Sequence, residues 1–100
     1  MEARKFTKYQ IKKLAELGYE YDGGDCISFL LDRIKKDDIT VVYLYYLPRT
    51  SDGQGNILTN VWKCMVDILF ETYESYDTNP IDAVFTMFLR CHKKGLTINE

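Results

Sequence analysis

The run I-T-V-V-Y-L-Y-Y-L, Ile39–Leu47, decides how this chain of 100 residues is read. β-branched and aromatic residues fill it, as they fill strands. Its odd positions (Ile39, Val41, Tyr43, Tyr45, Leu47) and its even positions (Val42, Leu44, Tyr46) are both apolar. A strand with two apolar faces reads as an interior one, covered above and below. Pro48 should end it, because proline brings no N–H to a ladder.

Beyond the proline, Arg49–Asn56 is a polar loop containing Gly53 and Gly55, and it leads into a segment that fits two periods. Read as a helix, Ile57–Tyr73 puts Val61, Trp62, Met65, Val66, Leu69 and Tyr73 on one face. Read as a strand, it puts Trp62, Cys64, Val66, Ile68 and Phe70 on one face, with Lys63, Asp67 and Glu71 opposite. An interior strand needs a neighbour, and an antiparallel hairpin through the 49–56 loop supplies one. The expectation is therefore a strand. Ser75–Thr78 reads as a linker. Asn79 as N-cap and Pro80 at the first helical position then open a last helix, with Asp82 in its first turn. Its apolar stripe is Ile81, Val84, Phe85, Phe88 and then Cys91 or His92; Arg90, Lys93 and Lys94 gather at its end, and Gly95 closes it.

Working outward toward the N-terminus, Asp25 caps a helix with apolar Ile27, Phe29, Leu30, Leu31 and Ile34. Gly23-Gly24 turns the chain before it. Tyr19 and Tyr21 alternate about Glu20, the pattern of a short edge strand over 18–22. Thr7 and Gln10 form a capping box for a helix over 8–17, in which Phe6 and Ile11 are spaced for a hydrophobic staple. Ile11, Leu14, Ala15 and Leu17 supply its stripe, and Gly18 its C′ position, from which Tyr19 can fold back on Leu14. The fold expected is a single α+β domain: helix, short strand, helix, antiparallel hairpin, helix. The helices pack on one face of a small sheet, with frayed tails at 1–5 and 97–100. The uncovered sheet face is one that a homodimer could bury.

The opening F-T-K-Y-Q-I-K-K-L-A-E-L-G (6–18) and the closing N-P-I-D-A-V-F-T-M-F-L-R-C-H-K-K-G-L (79–96) resemble a family of small uncharacterised proteins of phages and integrated elements of gut bacteria. Its members open with a Q-I-x-x-L-x-x-L-G helix. They close with an I-D-A-x-x-x-M helix carrying a late Cys and a final Gly. Between these they carry a short helix and strands, one with a Trp-centred alternating run to which W-K-C-M-V-D-I (62–68) corresponds. The resemblance covers the two ends of the chain. It implies the hairpin and a mobile-element origin, and it implies no activity, cofactor or ligand.

Composition narrows the function classes. With 46% apolar and 28% charged residues the chain is globular rather than disordered. A net charge of −2 lacks the basic excess of a general nucleic-acid binder. The absence of a signal-like start or a membrane-length apolar run points to a cytoplasmic protein with no membrane partner. Three scattered cysteines, Cys26, Cys64 and Cys91, fit reduced, buried thiols better than a disulfide framework.

The candidate chemistry is sparse. Asp52-Gly53-Gln54-Gly55-Asn56-Ile57 imitates the middle of an EF-hand loop, but Thr50 and Val61 stand where the first Asp and the bidentate Glu belong, so a hairpin loop is favoured. Asp22-Gly23-Gly24-Asp25 has no following Lys, and its aspartates repel anions; it reads as a turn and a cap. Cys91 and His92 point about 100° apart on a helix, which disfavours a nucleophile–base pair. No C-x-x-C spacing supports a Cys₃His zinc site. The reading is no enzyme, no cofactor and no metal.

What remains are surfaces. Tyr43, Tyr45, Tyr46, Tyr73 and Tyr76, with the acidic Asp67, Glu71 and Glu74, make a candidate protein-contact surface, since tyrosine gives contact area at low entropy cost. Arg4, Lys5, Lys8, Lys12 and Lys13 make a basic patch whose functional reading is nucleic-acid binding, the minor option because it lacks aromatic interleaving. The leading expectation is a non-enzymatic protein-binding or accessory module acting through the Tyr-rich sheet face or the acidic patch. A small thiol enzyme stands last.

Overall fold

The computed structural model describes residues 5–35, 40–68 and 71–98. The sequence readings at Arg4, Ile39, Leu69 and Phe70 lie outside those residues. The order is α1 (Lys8–Glu16), α2 (Cys26–Leu31), β1 (Thr40–Ser51), β2 (Ile57–Ile68), β3 (Glu71–Asp77) and α3 (Pro80–Lys93). The three strands form one antiparallel sheet in the order β1-β2-β3, and the helices pack against it: an α+β fold.

The helix caps follow the sequence closely. Thr7 accepts from the Gln10 N–H and the Gln10 side chain accepts from the Thr7 N–H, the full capping box. At the other end Gly18 takes φ 94° and the Tyr19 N–H reaches the Leu14 carbonyl at 2.8 Å, which closes a Schellman turn. Asp25 caps α2, and Asn79 with Pro80 opens α3. The inward face of α1 differs from expectation. Ile11 and Ala15 are exposed, whereas Gln10 is buried with Leu14. The Gln10 amide donates to Asp82 of α3 at 2.7 Å, and that bond makes its burial tolerable. Phe6 packs edge-on to Tyr21, Phe29 and Phe85.

Six further expectations are corrected. No strand forms over 18–22, because Tyr19, as the residue closing the Schellman turn, is carried into the core and is wholly buried. The strand reading of Ile57–Tyr73 holds only to Ile68, after which the chain reverses. Residues 71–77, partly taken for a linker, are the third strand. β1 is consequently an edge strand, and the interior strand is β2. β1 also continues through Pro48 to Ser51. Leu96–Ile98 is docked rather than frayed: Thr97 is buried and bridges Ile34, flanked by bonds Lys35 N–H to Leu96 O and Ile98 N–H to Arg33 O, both 2.8 Å.

How β1 tolerates its proline fixes the direction of its backbone groups. The hairpin closes with the Asp52 N–H on the Asn56 carbonyl at 3.2 Å. In an antiparallel ladder bonded pairs recur at every second residue. The bonded pairs of β1 are therefore its even positions: Thr50, Tyr46, Leu44, Val42 and Thr40. Pro48 falls in this series opposite Asn60 and cannot donate. That one pair is missing from an otherwise continuous register, and Asn60 adopts φ 54°. Val41, Tyr43, Tyr45 and Leu47 direct their N–H and C=O groups away from β2.

The core lies on the even-numbered side of β2. Cys64 and Val66 are wholly buried there against Ala83, Val84, Met87, Phe88 and Cys91 of α3. α3 packs on β2 and β3, and α2 packs on α3, but no helix packs comparably on β1. Tyr46, on the same side, stays 46% exposed, edge-on to Trp62. Truncating Phe88 to Ala should cost about 3–5 kcal/mol in chemical unfolding. Tyr43→Ala, on the uncovered side of β1, should cost under about 1 kcal/mol.

Candidate sheet-face contact site

Alternation along the strands assigns each surface candidate to a face. Tyr43 and Tyr45 of β1, Lys63, Met65 and Asp67 of β2, and Thr72, Glu74 and Tyr76 of β3 share the side away from the helices, as the register dictates. Tyr46, Glu71 and Tyr73 are on the helix side. The Tyr73 hydroxyl donates to Glu71, and the Arg90 guanidinium lies 5.8 Å from the Tyr73 ring. The tyrosines expected to act together are thus divided between faces, and so are the carboxylates. Asp77 accepts from the Asn79 N–H, and Asp82 is bound by Gln10. Among the described residues these carboxylates do not form one patch. A period of two separates Glu71 from Glu74, which the linear charge run had concealed.

The open face has a centre that charge counting passed over. Tyr45, Lys63 and Tyr76 form one cross-strand row. The Lys63 ammonium lies 5.8 Å from the Tyr45 ring centre and 5.5 Å from that of Tyr76, and it pairs with Glu74 at 2.9 Å. The Tyr76 hydroxyl donates to the same carboxylate at 2.5 Å. These contacts reinforce one another. The bond to Glu74 raises Lys63 above the usual lysine range. The Tyr76 hydroxyl and then Lys63 hold Glu74 below the usual carboxylate range. Burial, then the bond to Glu74, pushes Tyr76 up. A sequence signal existed: Lys63 opposes aromatic positions in both neighbours once the register is set. Around this row Val41 is 46% and Tyr43 41% exposed, so the apolar border faces solvent.

The basic helix is arranged less simply. Lys5, Lys8 and Lys12 are exposed, while Lys13 turns toward α3. There it borders a groove of about 490 Å³ with Leu17, Leu89, Arg90, His92 and Lys93. His92 presents Nδ1 to the Tyr19 hydroxyl at 3.0 Å and to Thr97 Oγ1 at 3.2 Å, and those two oxygens are 2.7 Å apart. This buried polar cluster was not foreseen, since Thr97 had been assigned to a tail.

Comparison with protein-family models, curated proteins and solved structures gave no match. The chemistry must be judged from the residues. No group of His, Cys, Asp or Glu suited to a metal occurs among the described residues. The Asp52 carboxylate is occupied by its own loop, accepting from the Gln54 and Asn56 N–H groups and the Asn56 amide. Asp25 and Asp22 are likewise spent on the Ser28 and Gly24 N–H groups. Desolvation pushes the Cys64 thiol up to about 12 and the Cys91 thiol to about 11. Neither is near its reactive thiolate form at neutral pH. No helix among the described residues is long and apolar enough to cross a membrane.

Two outcomes follow. Native Cys64 and Cys91 should label slowly with a thiol reagent near pH 7.5, and rapidly once the protein is unfolded in denaturant. In a Lys63→Met/Glu74→Gln double-mutant cycle, the coupling should be about 0.5–1 kcal/mol, since half-exposed Glu74 is screened by solvent. The Glu74 contribution is full above its unfolded value of 4.5 and is lost as pH falls through its lower folded value. The Lys63 contribution is full below 10.5 and is lost as pH rises through its higher folded value. Coupling measured by urea unfolding should therefore be flat between those limits and decline outside them.

Proposed function

We propose that this chain is a non-enzymatic protein-binding module whose contact surface is the helix-free face of its sheet. The observation that carries this reading is the uncovered row Tyr45–Lys63–Tyr76 with its border of Val41, Tyr43 and Met65. Aromatic side chains held rigid by cross-strand neighbours lose little entropy on contact, and a lysine between them supplies a polar anchor. Folding does not explain this surface, because the core closes on the other face. The buried Cys64 and Cys91, held protonated by desolvation, weigh against a thiol enzyme that uses either. The resemblance of both chain ends to small phage and integrated-element proteins supports an accessory role in a mobile element.

A second reading is nucleic-acid binding, favoured by the grouping of Lys13, Arg90, His92 and Lys93 around one groove. It would draw on the exposed Lys5, Lys8 and Lys12, with affinity falling steeply as salt rises.

One capture experiment separates the two readings. Met65→Glu/Tyr76→Ser alters the sheet face away from the β1 edge, and Lys8→Glu/Lys12→Glu alters the basic helix. Proteins held by the native chain should be held by the helix variant and lost by the face variant. An unchanged set on the face variant overturns the sheet-face reading. Loss confined to the helix variant and abolished by nuclease supports nucleic acid instead.

A further inference from the structure

The β1 edge and the β3 edge are built differently. β3 carries Glu71, Glu74 and Asp77 within seven residues, and charge on an edge strand discourages pairing with another chain. β1 has no charged residue from Thr40 to Leu47. Along it, the N–H and C=O groups of Val41, Tyr43, Tyr45 and Leu47 point outward and meet no partner among the described residues. Pro48 does not interrupt this outward row, because its missing N–H belongs to the series facing β2.

We propose that β1 pairs antiparallel with β1 of a second copy of this chain, about a two-fold axis at Leu44, to make one continuous six-stranded sheet. This rests on the reading of the sheet as a protein-contact surface and names one partner for it. The sequence is self-complementary in that register. Val41 faces Leu47 of the other copy and Tyr43 faces its Tyr45, all with outward-directed backbone, which gives about eight new hydrogen bonds. On the helix side Val42 faces Tyr46 and Leu44 faces itself. Each of these pairs joins aliphatic or aromatic side chains, the pairs that stabilise antiparallel sheets. The exposed Val41, Tyr43 and Tyr46 lie on this strand, and pairing brings each beside an apolar neighbour.

Light scattering on the intact chain should give twice its 11.7 kDa mass, little changed by salt. Tyr43→Pro removes one outward N–H and none that the fold uses, so it should return the monomer mass while its circular dichroism stays native. Because Leu44 lies opposite Cys64 of β2, both cysteine variants carry Cys64→Ala as well; Leu44→Cys then places the introduced thiols at the axis in a non-bonded pair about 4.5 Å apart at Cα, within disulfide range. Mild oxidation should therefore cross-link it, whereas Val41→Cys, about 20 Å from its own copy along the strands, should not cross-link. A monomer at every concentration overturns the pairing. So does a dimer unaffected by Tyr43→Pro, or equal cross-linking at Leu44 and Val41. If Tyr43→Pro fails to fold, the cysteine pair still decides. A monomer that still captures a partner lost by Met65→Glu/Tyr76→Ser would overturn this pairing alone and leave the broader function standing.

Discussion

The contact between α3 and one face of β2 governs the rest of this structure. Cys64 and Val66 present small side chains at the sheet centre, which lets the helix approach with Val84, Met87, Phe88 and Cys91 wholly buried between them. Burial of this kind, at roughly 25 cal/mol per Å² of apolar surface, is the main favourable term in the fold. Among the described residues α3 is the one helix of 14 residues, and α1 and α2 are shorter. They are used up against α3 and its ends: Leu14 and Gln10 from α1, Phe29 and Leu30 from α2. Among the described residues no further helix is left to cover the opposite sheet face or the side of β1.

Much of this was legible in the sequence, and what was legible was local. Capping residues announce helix ends because they satisfy backbone groups only a few positions away, and Thr7, Gly18, Asp25 and Asn79 all do so. What the sequence obscured was set by distant partners. Gln10 reads as a surface residue until Asp82 is placed beside it. Thr97 reads as a tail until Tyr19 and His92 enclose it. The apolar run of β1 resembled an interior strand because both its faces are apolar. Its position in the sheet depended on where β2 ends and β3 begins, and Leu69-Phe70 between them include no Gly, Pro or Asn to mark a boundary in the sequence.

The same dependence explains the surface site. Tyr45, Lys63 and Tyr76 are widely separated in sequence, and only the register aligns them. The tyrosine count alone could not say which hydroxyls share a face. Alternation then split the candidates, leaving Tyr43, Tyr45 and Tyr76 outward and sending Tyr46 and Tyr73 to the helix side. The acidic residues divided by the same rule. A charge run becomes a patch only when the local period permits it, and in a strand the period of two works against it.

Pro48 connects the fold to the surface. A proline in a strand ordinarily suppresses pairing, and from the sequence it looked like a terminator. Its parity reverses that consequence. Because it sits in the series bonded to β2, its missing donor weakens the hairpin locally, where Asn60 absorbs the change with a positive φ and accepts the Tyr46 hydroxyl at 2.8 Å. The outward series is left with every donor from Val41 to Leu47. Had the proline fallen one residue earlier, it would have removed an outward N–H and protected this edge as charge protects β3. The residue that most resembles a strand breaker is placed where it leaves the outward row of donors on β1 complete.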